Sequence, residues 1–233
     1  MTDTPMPDPA LTDVIAALGA AAELGPYFEI VTDPAEEADP TWRPLPEKDP
    51  ERLLGLIDAY AQRLGTDERR VAASILFQGL ASRLWSPTAA AAALGAVPDL
   101  SSLHWRWAPG APIALWLAEP SGWLRSADRL YETVVTGQLQ PLRETMLQVV
   151  RLADGLLWGN AASALAGTLR AGTLRPDLAA PLNTLVRDLF SRDPLTGTGS
   201  FEQGRGFVRR SCCLYYRVPP GGEMCGDCVL LTR

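Results

Sequence analysis

No cysteine occurs in the first 211 residues of this 233-residue chain, and its whole length holds one histidine, His104. The first shortage excludes a disulfide framework for the body. The second leaves a His-centred triad, or a site built from several histidines, poor in raw material. Long apolar runs are also missing. The longest patches, such as APIALWLA at residues 111–118, fall short of the roughly 18–20 residues that span a bilayer. The first residues, MTDTPMPDPALTD, are acidic where a signal peptide is basic, and no apolar segment follows them. A cytoplasmic protein is the expectation. Neither GxGxxG nor a P-loop is present, so no nucleotide site is expected. There is no internal repeat and no low-complexity tract.

A dense basic face is lacking as well. The net charge is -6, but it is unevenly spread. Residues 1–50 carry eleven acids against Arg43 and Lys48, a net of -9. Residues 51–233 carry sixteen acids against nineteen arginines, a net of +3. That balance argues against nucleic acid as a partner and leaves room for a small anionic ligand on the body.

What is present is mostly helix-forming. Hydrophobic residues make up 47% of the chain, enough for a globular core. A cap at Thr12 or Asp13 predicts a helix with Val14, Ile15, Leu18 and Ala22 on one face. Residues 31–50 are Pro-rich and acidic and read as a linker or surface loop. Asp49-Pro50 opens a helix to about Leu64, with Leu53, Leu56, Ile57 and Tyr60 inward. Thr66 caps the next helix, and Ser86-Pro87 starts another short one. LHWRWAPGAPIALWLA alternates on both sides of Pro109-Gly110, which predicts a β-hairpin. Helices resume near Ser126 and Pro141, and a last one covers Asp177 to Phe190. The glycine-rich stretch from Ser191 to Gly206 reads as a connector. The fold expected is mainly α: a helical domain with a short β-hairpin and a C-terminal cysteine-rich loop. Residues 1–50 form an acidic helix and linker, 51–200 the helical domain, and 201–233 the cysteine segment.

All four cysteines sit in that tail: Cys212, Cys213, Cys225 and Cys228. Gly226 eases a CxxC turn that brings two sulfurs together, and PPGG lets the chain double back so the pairs can meet. Four thiolates suit a tetrahedral zinc or an iron–sulfur cluster. Adjacent cysteines diverge, which is awkward at one zinc and easier when the ligands are spread over two irons. Redox-active thiols are the third option. Arg209, Arg210 and Arg217 flank the thiolates. Positive charge there would raise the potential of an anionic cluster or contact a substrate; the alternative is that these arginines are solvated or paired with acids.

Elsewhere the candidates are fewer. His104 reads as structural or exposed. Trp105, Trp107, Trp116 and Trp123 either line a pocket for flat chelating groups or pack the hairpin onto the helices. Asn160, after Trp158 and Gly159, either hydrogen-bonds in the interior or helps join two helices.

The tail RSCCLYYRVPPGGEMCGDCVL, residues 210–230, resembles the C-terminal iron–sulfur signature of the FhuF-type ferric siderophore reductases. LLWGNAASAL at 156–165, ASILFQGLASRLWSP at 73–87 and the later HWRW and LWL segments are similar to parts of that family, so the resemblance reaches from about residue 50 to the end. It implies a [2Fe-2S] cluster with Cys212, Cys213, Cys225 and Cys228 as ligands, and one-electron reduction of ferric siderophore to release ferrous iron. It also implies an external electron donor, ferredoxin-like or a flavin reductase. The family often places about ten residues between the two pairs. Here there are eleven, Leu214 to Met224, and the extra one falls in a Pro-Gly turn that a loop absorbs. Two rival readings remain from the residues alone: a zinc-clamped, non-enzymatic interaction module, and an iron–sulfur electron carrier with another acceptor.

Overall fold

The computed structural model of the chain describes residues 9–108 and 113–232. The predicted turn at Pro109-Gly110 lies outside the described residues. Helix α1 spans Pro9–Ala22 and so begins before the cap expected at Thr12 or Asp13. Val14, Ala17, Leu18 and Ala21 form its buried stripe, whereas Ile15 is turned outward.

The acidic segment that follows does more than link. Val31 pairs with the backbone of Leu115 and Leu117, and Trp42, Leu45 and Glu47 are buried. Strand β1, Arg43–Pro44, lies antiparallel beside His104 and Trp105. Helix α2, Pro50–Leu64, is capped as expected: Asp49 accepts from the amides of Glu51 and Arg52. Gly65 closes it in the left-handed conformation at φ 66°.

Helix α3, Arg69–Leu94, is the axis of the protein. Thr66 does accept from the Glu68 amide, but the helix starts two residues later than that cap implies. The break predicted at Ser86-Pro87 is absent, and the helix runs through Pro87. Proline removes one ladder bond and costs about 3 kcal/mol in a helix interior. Here α3 is apolar nearly all round and buried on all sides by α1, α2 and α6, so burial outweighs that loss. Arg83, 3% exposed, donates to the carbonyls of Pro26, Glu29 and Ile113, each at 2.7 Å. One side chain thereby ties the N-terminal segment and the hairpin to α3.

Strand β2 covers Ala96–Pro98, β3 Leu103–Arg106, β4 Ala114–Leu117 and β5 Gly122–Leu124. The hairpin is as expected: β3 and β4 pair antiparallel, Trp105 opposite Leu115. What the alternation did not reveal is that β1 adds a third strand and that β2 pairs with β5. Helix α4, Ala127–Tyr131, capped by Ser126, continues through a π-helical stretch, Glu132–Leu139, into α5, Gln140–Val149. Helix α6, Asp154–Gly167, packs along α3. A short α7, Ala171–Leu174, leads to α8, Ala179–Phe190. The stretch read as a plain connector contains half of another hairpin, β6 Gly199–Glu202 with β7 Gly206–Arg209. Phe201 and Phe207 clasp Phe190 at ring distances of 5.3 and 5.0 Å, which fixes the hairpin against α8.

Candidate functional site

The cysteine loop begins where β7 ends. Leu214 adopts φ 68°, unusual for a branched residue, and this bend aims its amide at Cys212 Sγ, 3.3 Å away. A 3-10 turn, Tyr215–Arg217, and the PPGG return follow. Gly222 lies so close to Tyr215 that a Cβ there would stand 2.1 Å from the Tyr215 carbonyl oxygen. The return therefore needs glycine at that position. Cys225 and Cys228 then share a tight turn, closed by the Cys228 amide on the Cys225 carbonyl at 3.0 Å. The Leu230 amide lies 3.4 Å from Cys228 Sγ. The Asp227 carbonyl accepts from the Arg209 amide at 3.0 Å, which pins the CxxC turn to the end of β7.

The two pairs meet through Cys213 and Cys225, whose sulfurs are 3.6 Å apart. All four thiols are free. Cys213 and Cys228 are buried, while Cys212 and Cys225 are half-buried. Among the described residues, no three metal-binding side chains already converge as a cage for a single ion. The arrangement is two half-sites touching at one sulfur pair.

Arg209 is the charged side chain inside this arrangement, with no exposed side-chain surface. One terminal nitrogen donates to Cys225 Sγ at 2.6 Å and to Asp227 Oδ1 at 3.1 Å. The other donates to Asn160 Oδ1 at 2.7 Å and to Gln78 Oε1 at 3.4 Å. Its Nε stands 2.9 Å from Asp227 Oδ2, as an ion pair not aligned for a hydrogen bond. Asn160 in turn donates to the Ser74 carbonyl and hydroxyl, both at 2.9 Å, and the Ser74 hydroxyl donates to the Cys213 carbonyl at 2.6 Å. A closed polar network thus runs from α3 and α6 into both halves of the loop.

Its electrostatics follow from these contacts. The Cys213 and Cys225 sulfurs share a hydrogen bond in which either can be the donor. One thiol of the pair is held low by its neighbour's hydrogen bond and by the Arg209 guanidinium, while the one that keeps the proton is pushed up by that same hydrogen bond and by burial. Burial raises Cys212 as well. Desolvation alone would lower Arg209, but the charges of Cys213 and Asp227 more than offset it. A thiolate set that receives amide and guanidinium donors has the chemistry an anionic iron–sulfur group requires.

The three flanking arginines separate. Arg209 turns inward. Arg210 is exposed, its amide tied to the Thr198 carbonyl. Arg217 pairs with Glu68, its Nη2 and Nε reaching Oε1 at 2.6 and 2.9 Å. Sequence reasoning did not single out Ser74, Gln78 or Asp227. For Ser74 and Gln78 the available signal was a polar residue inside an otherwise apolar helix, and for Asp227 its place between the two cysteines of the CxxC turn. Asn160 is fully buried and does join two helices, and it also reaches Arg209. His104 is structural: its ring lies 4.9 Å from that of Trp116, and Nδ1 meets the Ser102 carbonyl. The tryptophans also divide. Trp105 and Trp107 line a cavity, Trp116 packs on Trp42, and Trp123 lies under Arg129.

Residues 209–230 match the family model of the FhuF 2Fe-2S C-terminal domain. No curated protein and no solved structure matches the chain. The matched residues start at Arg209 and end just beyond Cys228, so they coincide with the loop and the arginine that organises it. The segment that carries Arg209, the four cysteines and Asp227 is a FhuF-type 2Fe-2S cluster-binding domain.

Proposed function

We propose that Cys212, Cys213, Cys225 and Cys228 hold a [2Fe-2S] cluster and that the protein reduces ferric siderophore to the ferrous form. The observation that carries this reading is the family match on a loop of four free thiols, one of which, Cys225, accepts from a buried arginine. When bound, such a cluster supplies a one-electron couple. The chain's own residues then have three tasks. The cysteines hold the group, and the amides of Leu214 and Leu230 donate to the sulfurs of Cys212 and Cys228. Arg209 balances negative charge at Cys225, and Asn160 with Ser74 keeps that guanidinium in place. Burial of Cys213 and Cys228 limits water at their sulfurs.

The substrate chemistry fits one electron. Hard oxygen ligands grip Fe³⁺ much better than Fe²⁺, so one added electron loosens the chelate. That electron comes from an external donor, ferredoxin-like or a flavin reductase. Among the described residues, no helix is long and apolar enough to cross a membrane.

The test is an absorption spectrum of protein purified without oxygen, with iron, zinc and acid-labile sulfide assayed on the same sample. Visible bands that bleach on reduction, with iron and sulfide in about equal amounts, followed by electron transfer to a ferric chelate, are the expected results. A colourless protein with stoichiometric zinc after anaerobic reconstitution would make the loop a structural clamp. A cluster that reduces no ferric chelate would make the protein an electron carrier with another acceptor.

A further inference from the structure

The four cysteines sort in space differently from the way they pair in the sequence. Cys213 and Cys225, one from each pair, place their sulfurs 3.6 Å apart. Arg209 serves this couple: it donates to Cys225 Sγ at 2.6 Å and lies within electrostatic reach of Cys213. Cys212 and Cys228 have another environment in common. Each receives the amide two residues further along the chain, from Leu214 at 3.3 Å and from Leu230 at 3.4 Å. The charge of Cys228 also reaches Cys212.

The sequence neighbours part because the interior holds them differently. Cys213 is 1% exposed, and its carbonyl accepts from the buried Ser74 hydroxyl, while Cys212 beside it stays half-buried. In the CxxC turn the order is reversed: Cys228 is 2% exposed and Cys225 half-buried. Each spatial couple therefore joins one buried and one half-buried sulfur.

Distance decides what such a couple can hold. Two thiolates on one tetrahedral ion, each about 2.3 Å from it, stand about 3.8 Å apart. The Cys213–Cys225 separation is close to that edge. Among the described residues, no third metal-binding side chain joins them as a cage for one ion. Four thiolates converging on a single zinc would bring that third sulfur in. Two irons joined by sulfide ask only for two couples.

We infer that Cys213 and Cys225 share one iron of the cluster and that Cys212 and Cys228 share the other. Each iron then spans both cysteine pairs, so the cluster staples shut the eleven-residue return from Leu214 to Met224. Arg209 acts on one iron of the two. The inference rests on the cluster reading above, and its readouts do not need turnover.

Two experiments on the full chain test it. In the first, protein reconstituted with Mössbauer-active iron and sulfide carries serine at two ligand positions. Serine perturbs the iron that it ligates and leaves the other nearly as it was. Cys213→Ser with Cys225→Ser changes about half of the iron signal, and Cys212→Ser with Cys213→Ser changes all of it. The reverse pattern overturns the pairing. In the second, the metal is removed, so the result does not depend on the variants assembling a cluster. Chains that keep two cysteines are treated with glutathione disulfide; two protein thiols and one glutathione disulfide give one protein disulfide and two glutathiones. Cys212→Ser with Cys228→Ser closes its Cys213–Cys225 bond about tenfold faster than Cys212→Ser with Cys225→Ser closes its Cys213–Cys228 bond, because the first two sulfurs already touch. Equal rates overturn the couple. Wild-type protein that takes up one zinc and neither iron nor sulfide overturns the pairing together with the cluster reading. The expected pairing, in a protein that reduces no ferric chelate, supports the inference and removes the reductase reading alone.

Discussion

Arg209 Nη1 donates to Asn160 Oδ1 at 2.7 Å, so an amide on α6 holds the guanidinium that reaches the cysteine loop. Helical body and loop therefore share one hydrogen-bonded network, and a change in either is felt in the other.

Removing the charge should be severe. Arg209→Met leaves Asp227, Asn160 and Cys225 without their shared donor, and breaking a buried pair costs about 3–5 kcal/mol. Arg209→Lys keeps the charge but not the planar fork, so it restores part of the stability. Denaturant unfolding of the full chain measures both. In reconstituted protein, the potential should fall in the Met variant and fall less in the Lys variant, because positive charge near the sulfurs favours the reduced state.

Asn160 and Ser74 should behave as one unit. Asn160→Asp loses the two donations to Ser74 and sets a carboxylate against a carbonyl. Asn160→Ala leaves the Ser74 carbonyl and Arg209 short of a partner. Each costs about 1–3 kcal/mol. A double-mutant cycle of Asn160→Ala with Ser74→Ala should show coupling of about 1 kcal/mol or more. Simple additivity would mean that the network does not act together.

Gly159 should tolerate no side chain while Ser211 keeps its hydroxyl. A Cβ at Gly159 would sit 2.1 Å from Ser211 Oγ but 3.4 Å from Ser211 Cβ. Gly159→Ala should destabilise by about 1–3 kcal/mol, the cost of overpacking. Adding Ser211→Ala should recover much of it, since only the hydroxyl clashes. Thermal unfolding of the single and double variants decides this.

The Glu68–Arg217 pair should show more clearly in a titration than in stability, because its exposure keeps its contribution small. The hydrogen bond from Arg217 holds the Glu68 carboxyl below its usual value, with Arg70 helping. Its folded value lies below the unfolded one. Its contribution is therefore present above the ordinary glutamate range and is lost as pH falls through the folded value. Both side chains are more than a third exposed, so salt screens the pair. In Arg217→Ala, the Glu68 carboxylate titration seen by NMR should move up, with Tm at pH 7 hardly changed. An unmoved midpoint would assign the effect to Arg70.

The sequence by itself determined a good deal here. Helices α2 and α8 and the β3–β4 hairpin follow from caps and hydrophobic periods, which act over a few residues. The cysteine tail was equally legible, because four thiols in one short segment leave few chemistries open. Short-range signals failed at Pro87 and missed strand β1 within the surface loop of residues 31–50. A helix buried on all sides overrides a proline, and strand β1 exists only because β3 is there to pair with it. The arginines show the limit most clearly. Arg209, Arg210 and Arg217 look alike beside the cysteines, and tertiary structure alone sends Arg209 inward to Asn160 and Asp227, leaves Arg210 in solvent and gives Arg217 to Glu68. The physical reason is distance along the chain. The partners that make a buried charge tolerable lie as far as 131 positions away, on helices that only folding brings to the loop.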